Sequence, residues 1–225
     1  MTALDADPDG TAHPRPAPQE APAPPVVGPL AGDPAMLGLS SFIVGSVALG
    51  LGLVGVVPVG VLGAPLAIIL AATALGLLLA AIWAAAVGQS AVAAVFGIFG
   101  TFWLSYGMLV LGLDHNWFAI TATAVLATVK LFLVAWLIAI LMLTLATLRL
   151  PAAFTAVFAL VSLALLLLLL AFANASPLGV PSTGLLKTAG YVVLVFAAVG
   201  VYLFYDAAQA GTGGKRVPLG NPLLK

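Results

Sequence analysis

Long hydrophobic runs alternate with short polar or Pro- and Gly-containing breaks over most of this chain of 225 residues. A helix needs roughly 20 apolar residues to cross the hydrocarbon core of a bilayer, and each run reaches about that length. The runs are continuous and do not alternate, which favours helices over the strands of a membrane barrel. The pattern predicts an all-α membrane protein with six spanning helices, at residues 37–57, 66–87, 91–113, 128–148, 152–173 and 186–205.

The first 32 residues differ in composition from the rest, because prolines there alternate with Ala, Gly and acidic residues. Such a segment buries too little apolar surface to offset its ordering entropy. We therefore predict a disordered Pro/Ala-rich tail at 1–32, a six-helix transmembrane domain at 33–206 and a short C-terminal tail at 207–225.

Composition supports a chain embedded in a lipid bilayer: 63% of the residues are hydrophobic and only 6% are charged. A soluble domain carries about 25% charged residues, so this chain could not cover a surface that faces water. Seven basic and seven acidic residues cancel, which gives no reason to expect nucleic acid as a partner. The absence of Cys excludes disulfides and Cys metal sites.

Basic residues predict the orientation, because they are enriched on the cytoplasmic side of a membrane. With the N-terminus in the cytoplasm, Lys130 and Lys187 lie outside. The basic residues on the inside are then Arg15, Arg149, Lys215, Arg216 and Lys225. We therefore expect both termini and both tails to be cytoplasmic, in the plasma (inner) membrane.

Ionisable side chains are scarce within the predicted membrane spans. Asp114, His115 and Asp206 follow the third and sixth predicted spans, and the spans themselves carry no Asp, Glu or His except near their ends. Proton-relay pumps place such groups inside the membrane, and nucleotide-driven transporters need a phosphate-binding Gly loop followed by Lys. We predict no catalytic residue, no metal and no cofactor, which leaves a passive or solute-coupled permeation path.

Small residues recur every four positions on the second predicted helix, at Gly76, Ala80, Ala84 and Gly88. They share one helix face, where a neighbouring backbone can approach closely. The spacing is compatible both with packing inside one subunit and with a contact between subunits.

Three stretches stand out: Asp-Pro-Ala-Met-Leu-Gly-Leu at 33–39, Phe-Gly-Thr-Phe-Trp-Leu-Ser at 99–105, and Val-Tyr-Leu at 201–203 with Arg-Val-Pro-Leu-Gly at 216–220. In this order they resemble the acetate uptake transporter family, of the succinate–acetate permease type. Its signature Asn-Pro-Ala-Pro-Leu-Gly-Leu is similar to residues 33–39, with five of seven positions matched. Residues 99–105 are similar to its third-helix pattern Tyr-Gly-x-Phe-Trp-Leu, and residues 201–203 with 216–220 to its sixth helix and tail. The signature positions are Asp33, Pro34, Ala35, Met36, Leu37, Gly38 and Leu39.

The resemblance implies six-helix subunits that form a homo-oligomer, a hexamer, with a pore in each subunit. It implies acetate, and in some members succinate or other short carboxylates, as the solute, moved with a proton or through a channel. It also implies an apolar constriction, which would be formed here by Phe42, Phe99 and Leu163. Trp136, Arg149 and Asn174 fall where the family commonly has Trp, Lys and Asn.

Two departures from the family pattern bear on the solute. Phe99 stands where the family often has Tyr, and Asp33 replaces the signature Asn. Asp33 and Pro34 suit a helix start, where the Asp side chain caps a free N–H and Pro takes the first helical position. The carboxylate of Asp33 would make this mouth less attractive to an anion than the Asn version.

An apolar constriction strips water from a solute, and burying an unpaired carboxylate is very costly. We therefore expect passage as the protonated acid, or of the anion together with a proton. Hydroxyls near the path could donate hydrogen bonds, although membrane hydroxyls often bond their own backbone. The candidates are Ser40, Ser41, Thr101 and Ser105, and Trp103 and Asn174 join them through the resemblance.

Two alternatives share the predicted architecture. A urea or amide channel is also a small six-helix protein, and an apolar constriction with few charges suits a neutral solute. A non-transporting membrane protein would use its small-residue faces for packing alone.

Overall fold

The structure is a computed structural model that describes residues 31–57 and 63–224. Within these residues, six helices are long and apolar enough to cross a membrane, and no strand is present. They are α1 (Pro34–Val54), α2 (Leu66–Ala86), α3 (Ser90–Asp114), α4 (Ala122–Arg149), α5 (Ala152–Ala173) and α6 (Thr183–Gly211). The predicted all-α, six-helix membrane fold is confirmed. Apart from its last two residues, the predicted tail at 1–32 lies outside the described residues.

Helix α1 begins and ends with recognisable capping residues. The side chain of Asp33 accepts a hydrogen bond of 2.9 Å from the backbone N–H of Ala35, and Pro34 occupies the first turn. Gly55 ends the helix with a φ of 93°, a left-handed conformation that Gly adopts without steric cost. The start predicted from Asp33 and Pro34 is therefore present.

The helices pack as a closed series in which α1 contacts α6 and α2 most extensively. Helix α6 also packs on α5, α5 on α4, and α2 on α3, whereas α3 and α4 make few backbone contacts. Small residues permit the close approaches: a Cβ at Gly50 of α1 would lie 3.3 Å from the carbonyl oxygen of Gly190 in α6. Aromatic side chains, among them Phe102 and Trp136 at 5.3 Å, fill the sparse α3–α4 seam.

The small-residue face of α2 packs inside the subunit. Gly76, Ala80 and Ala84 are buried, and a Cβ at Gly76 would collide with the side chain of Ser41 in α1. The first three positions of the stripe therefore serve packing between α2 and its own neighbours. The fourth, Gly88, lies in the turn after α2 with a φ of 79°.

Helix α6 continues to Gly211, six residues past the predicted end at 205, so Asp206 lies within the helix and not beyond it. Asp206 is buried, and its carboxylate accepts hydrogen bonds from the backbone N–H of Val217 at 2.9 Å and from Arg216 at 3.2 Å. A buried carboxylate is tolerated when it is paired in this way. The sequence prediction missed it because the paired groups lie ten and eleven residues further along the chain.

The C-terminal segment, residues 212–224, is bonded to the helical bundle. The hydroxyl of Tyr202 donates to the carbonyl of Pro218 at 2.7 Å, and the carbonyl of Leu219 accepts from the N–H of Ala153 at 2.9 Å. The N–H of Leu224 donates to the carbonyl of Leu148 at 2.9 Å. The segment therefore runs from α6 past the start of α5 to the end of α4.

Candidate functional site: an aromatic constriction

A small buried cavity lies between α1, α3, α5 and α6. Its volume is about 20 Å³, room for about one water molecule, so the described conformation is closed to acetate. Every side chain that lines it is apolar except for the indole N–H of Trp103. The lining residues are Phe42, Leu49, Phe99, Phe102, Trp103, Val161, Ala164, Leu165, Leu168, Val193 and Phe196.

Four phenylalanine rings form a continuous chain beside this cavity. The ring of Phe42 in α1 lies 5.1 Å from that of Phe99 in α3, nearly edge to face, and 5.6 Å from Phe196 in α6. Phe99 in turn lies 5.5 Å from Phe158 in α5. Each ring is at most 5% exposed. Centroid separations of this size are favourable for aromatic pairs, so the four rings close the space between four helices.

The structure brings together two of the three residues predicted for the constriction. Phe42 and Phe99 touch, but Leu163 is 42% exposed and does not line the cavity. The inward face of α5 carries Val161, Leu165 and Leu168, at the three- and four-residue spacing of one helix face. Leu163 falls between these positions and points outward, so the structure does not bring it together with Phe42 and Phe99.

Sequence reasoning missed two of the four rings, Phe158 and Phe196. Helices α5 and α6 are apolar around their whole circumference through the membrane, so hydrophobic periodicity could not single out an inward face.

The predicted hydroxyl donors do not line the cavity. Thr101 and Ser105 donate to carbonyls of their own helix, at 2.9 Å to Gly97 and to Phe102 respectively, and lie in an open groove between α3 and α4. Ser40 likewise donates to carbonyls of α1. Ser41 is buried at the α1–α2 contact, where it packs on Gly76.

Asn174 lies outside the helical core. Its side chain is exposed just after α5 and donates to the carbonyl of Leu170 at 2.8 Å, so it caps the end of its own helix. Trp103, by contrast, is 2% exposed and forms part of the cavity wall. Of the secondary candidates, Trp103 is the residue that the structure brings to the aromatic constriction.

A sequence profile of the GPR1/FUN34/yaaH family matches residues 17–213, most of the chain. This chain belongs to the GPR1/FUN34/yaaH family. The match confirms the family resemblance drawn from the sequence. No curated protein matched the chain in a sequence search.

The fold of this GPR1/FUN34/yaaH member is similar to that of the bacterial acetate channel SatP. The TM-score is 0.71 at 21% sequence identity, and the match covers 84% of this chain and 99% of that chain. At this level of identity the likeness concerns the fold, which supports an integral membrane protein.

In this GPR1/FUN34/yaaH chain, the signature at residues 33–39 forms the first turns of α1. Pro34 is buried in the first turn, and Gly38 is buried against α3, where an added Cβ would collide with the ring of Phe96. Ala35, Leu37 and Leu39 are partly buried and pack on the hydrophobic core. The signature therefore fixes the start of α1 and its close approach to α3, which sets the position of Phe42 one turn further on.

Proposed function

We propose that this chain is an acetate transporter or channel that also accepts other short carboxylates. Membership of the GPR1/FUN34/yaaH family and a fold shared with a bacterial acetate channel support this proposal. The observation that carries it is the cavity between α1, α3, α5 and α6, which is narrow, buried and bordered by a chain of four phenylalanine rings. A cavity this small favours solutes of a few heavy atoms.

The chemistry of the cavity wall favours passage without net charge. None of its lining side chains is ionisable, so a bare carboxylate there would have no counter-charge. Because an unpaired buried charge is very costly, the solute crosses as the protonated acid, or as an anion accompanied by a proton. The proton is therefore part of the proposed transport step.

Flux into proteoliposomes tests this function. Uptake of labelled acetate is measured with and without an imposed pH gradient, and protein-free liposomes correct for permeation through lipid. We expect protein-dependent uptake to rise as the external pH falls. At pH values above the pKa of a carboxylic acid, each fall of one pH unit raises its protonated fraction about tenfold. Flux no greater than that of bare liposomes would overturn the proposal. Faster transport of urea than of acetate would favour a neutral-solute channel.

We further propose that the subunits form a hexamer in the plasma membrane with both termini cytoplasmic. Arg149, Lys215 and Arg216 lie at one end of the bundle, because the C-terminal segment bonds to the α4–α5 connection. Lys187 lies near the opposite end, beside Gly55. Since the chain has no Cys, labelling of a single Lys215→Cys variant from one side of the membrane tests the orientation. Chemical cross-linking in the membrane counts the subunits.

A further inference from the structure

Among the side chains that line the aromatic cavity, that of Trp103 carries the one polar atom, the indole nitrogen Nε1. Its N–H is buried and has no hydrogen-bond partner among the described residues. Tryptophan N–H groups usually find a partner when they are buried, because a donor without one loses the hydrogen bond it makes to water. An unpartnered donor on a side chain that lines this cavity is therefore available to a bound solute.

Trp103 lies next to the constriction along the path. It follows Phe99 by one turn of α3, a separation of about 6 Å along the helix axis, and it lines the same cavity. The contact of Gly100 with Leu78, and that of Gly107 with Leu70, set the depth of this turn opposite the middle of α2. A solute that passes the rings of Phe42 and Phe99 therefore reaches the indole within the membrane.

Thr73 in α2 provides a contrast. Its hydroxyl is also buried without a partner among the described residues. However, Thr73 does not line the cavity, and it packs directly against Gly45 of α1. Thr73 also lies within a π-helical segment, Ile69–Ala74. The two unpartnered donors are therefore separable, because Trp103 lines the cavity and Thr73 lies at a contact between two helices.

We propose that the Nε1–H of Trp103 donates a hydrogen bond to an oxygen of the short carboxylic acid at the constriction, and so acts as a specificity-determining residue. This inference rests on the proposed function. An indole N–H is a donor only, so it recognises the carbonyl oxygen of the acid and offers nothing to a solute without an acceptor. The aromatic walls enclose the methyl or short alkyl group.

Replacing Trp103 with benzothienylalanine tests the proposal, because this amino acid keeps the bicyclic shape and exchanges the N–H for sulfur. We expect the half-saturating acetate concentration to rise about five- to tenfold, the loss of one hydrogen bond. The maximal rate and the melting temperature without acetate should stay near the wild-type values. The stabilisation by added acetate should shrink. A merely structural role would lower the melting temperature without acetate instead.

Thr73→Val is the matched control, since it removes the other unpartnered donor at nearly constant shape. We expect it to leave the acetate dependence of transport unchanged. The wild-type protein offers a second readout: one of the indole N–H resonances of its four tryptophans should shift on titration with acetate.

Suppose that the wild type transports acetate. An unchanged half-saturating acetate concentration in the benzothienylalanine variant would then overturn the role of Trp103, and so would indole N–H resonances that do not shift with acetate. Absence of acetate flux in the wild type would instead overturn the proposed function. The two failures are thus distinguishable.

Discussion

Replacing Phe99 with Ala tests the aromatic constriction directly, because this ring joins Phe42 on one side to Phe158 on the other. Under the proposed function, the ring of Phe99 must swing away from both neighbours before a solute can pass. Each aromatic pair contributes about 0.5–1.5 kcal/mol, so breaking two pairs costs about 1–3 kcal/mol. If that movement limits passage, its removal accelerates transport about 5- to 150-fold. The gain should be largest for acids bulkier than acetate.

The assay compares uptake of butyrate and acetate in proteoliposomes for wild type and Phe99→Ala. We expect the butyrate-to-acetate ratio to rise by at least about fivefold. Truncation of a buried Phe costs about 3–5 kcal/mol of stability, so the folded state of the variant must be verified by its melting temperature.

Leu163→Ala is the control for Phe99→Ala, since it also truncates a large apolar side chain but on the exposed face of α5. We expect it to leave the solute profile unchanged. An unaltered ratio in folded Phe99→Ala, or an equal change in Leu163→Ala, would refute the assignment of the constriction to the four rings.

Two further predictions concern the ends of the helices. Asp33→Asn should keep the helix cap, because Asn caps as well as Asp, and should raise acetate uptake near neutral pH by removing a negative charge at the mouth; equal initial uptake rates at every pH would end this hypothesis. Asp206→Ala should destabilise the protein by about 1–3 kcal/mol, because it leaves the partly buried backbone N–H of Val217 without its acceptor. Arg216→Ala should cost less than about 1 kcal/mol, because Arg216 is 67% exposed. Thermal unfolding of both variants checks this order, which equal losses would contradict.

The helices themselves were predictable because a bilayer demands about 20 apolar residues per span. The six predicted spans each overlap one observed helix, and the capping role of Asp33 followed from its place before Pro34. The end of α6 was not predictable in the same way. Asp206 ends the apolar run in the sequence, yet it stays in the helix because the chain folds back to pair it.

The residues of the aromatic constriction could not be predicted, because the local sequence does not show which face of each helix points inward. In water, polar residues mark the outer face of a helix, but in lipid both the core and the outer face are apolar. Leu163 and Leu165 are therefore equivalent in the sequence, although one is exposed and the other lines the cavity.

By itself, the sequence determined that this protein spans the membrane six times and to which family it belongs, since length, hydropathy and the signature at residues 33–39 are local properties. Only the tertiary structure decided which rings meet. Phe158 and Phe196 join Phe42 and Phe99 because helix rotation is set by close contacts at small residues between neighbours. Those contacts are long-range in the chain, and a uniformly apolar helix gives no local signal of them.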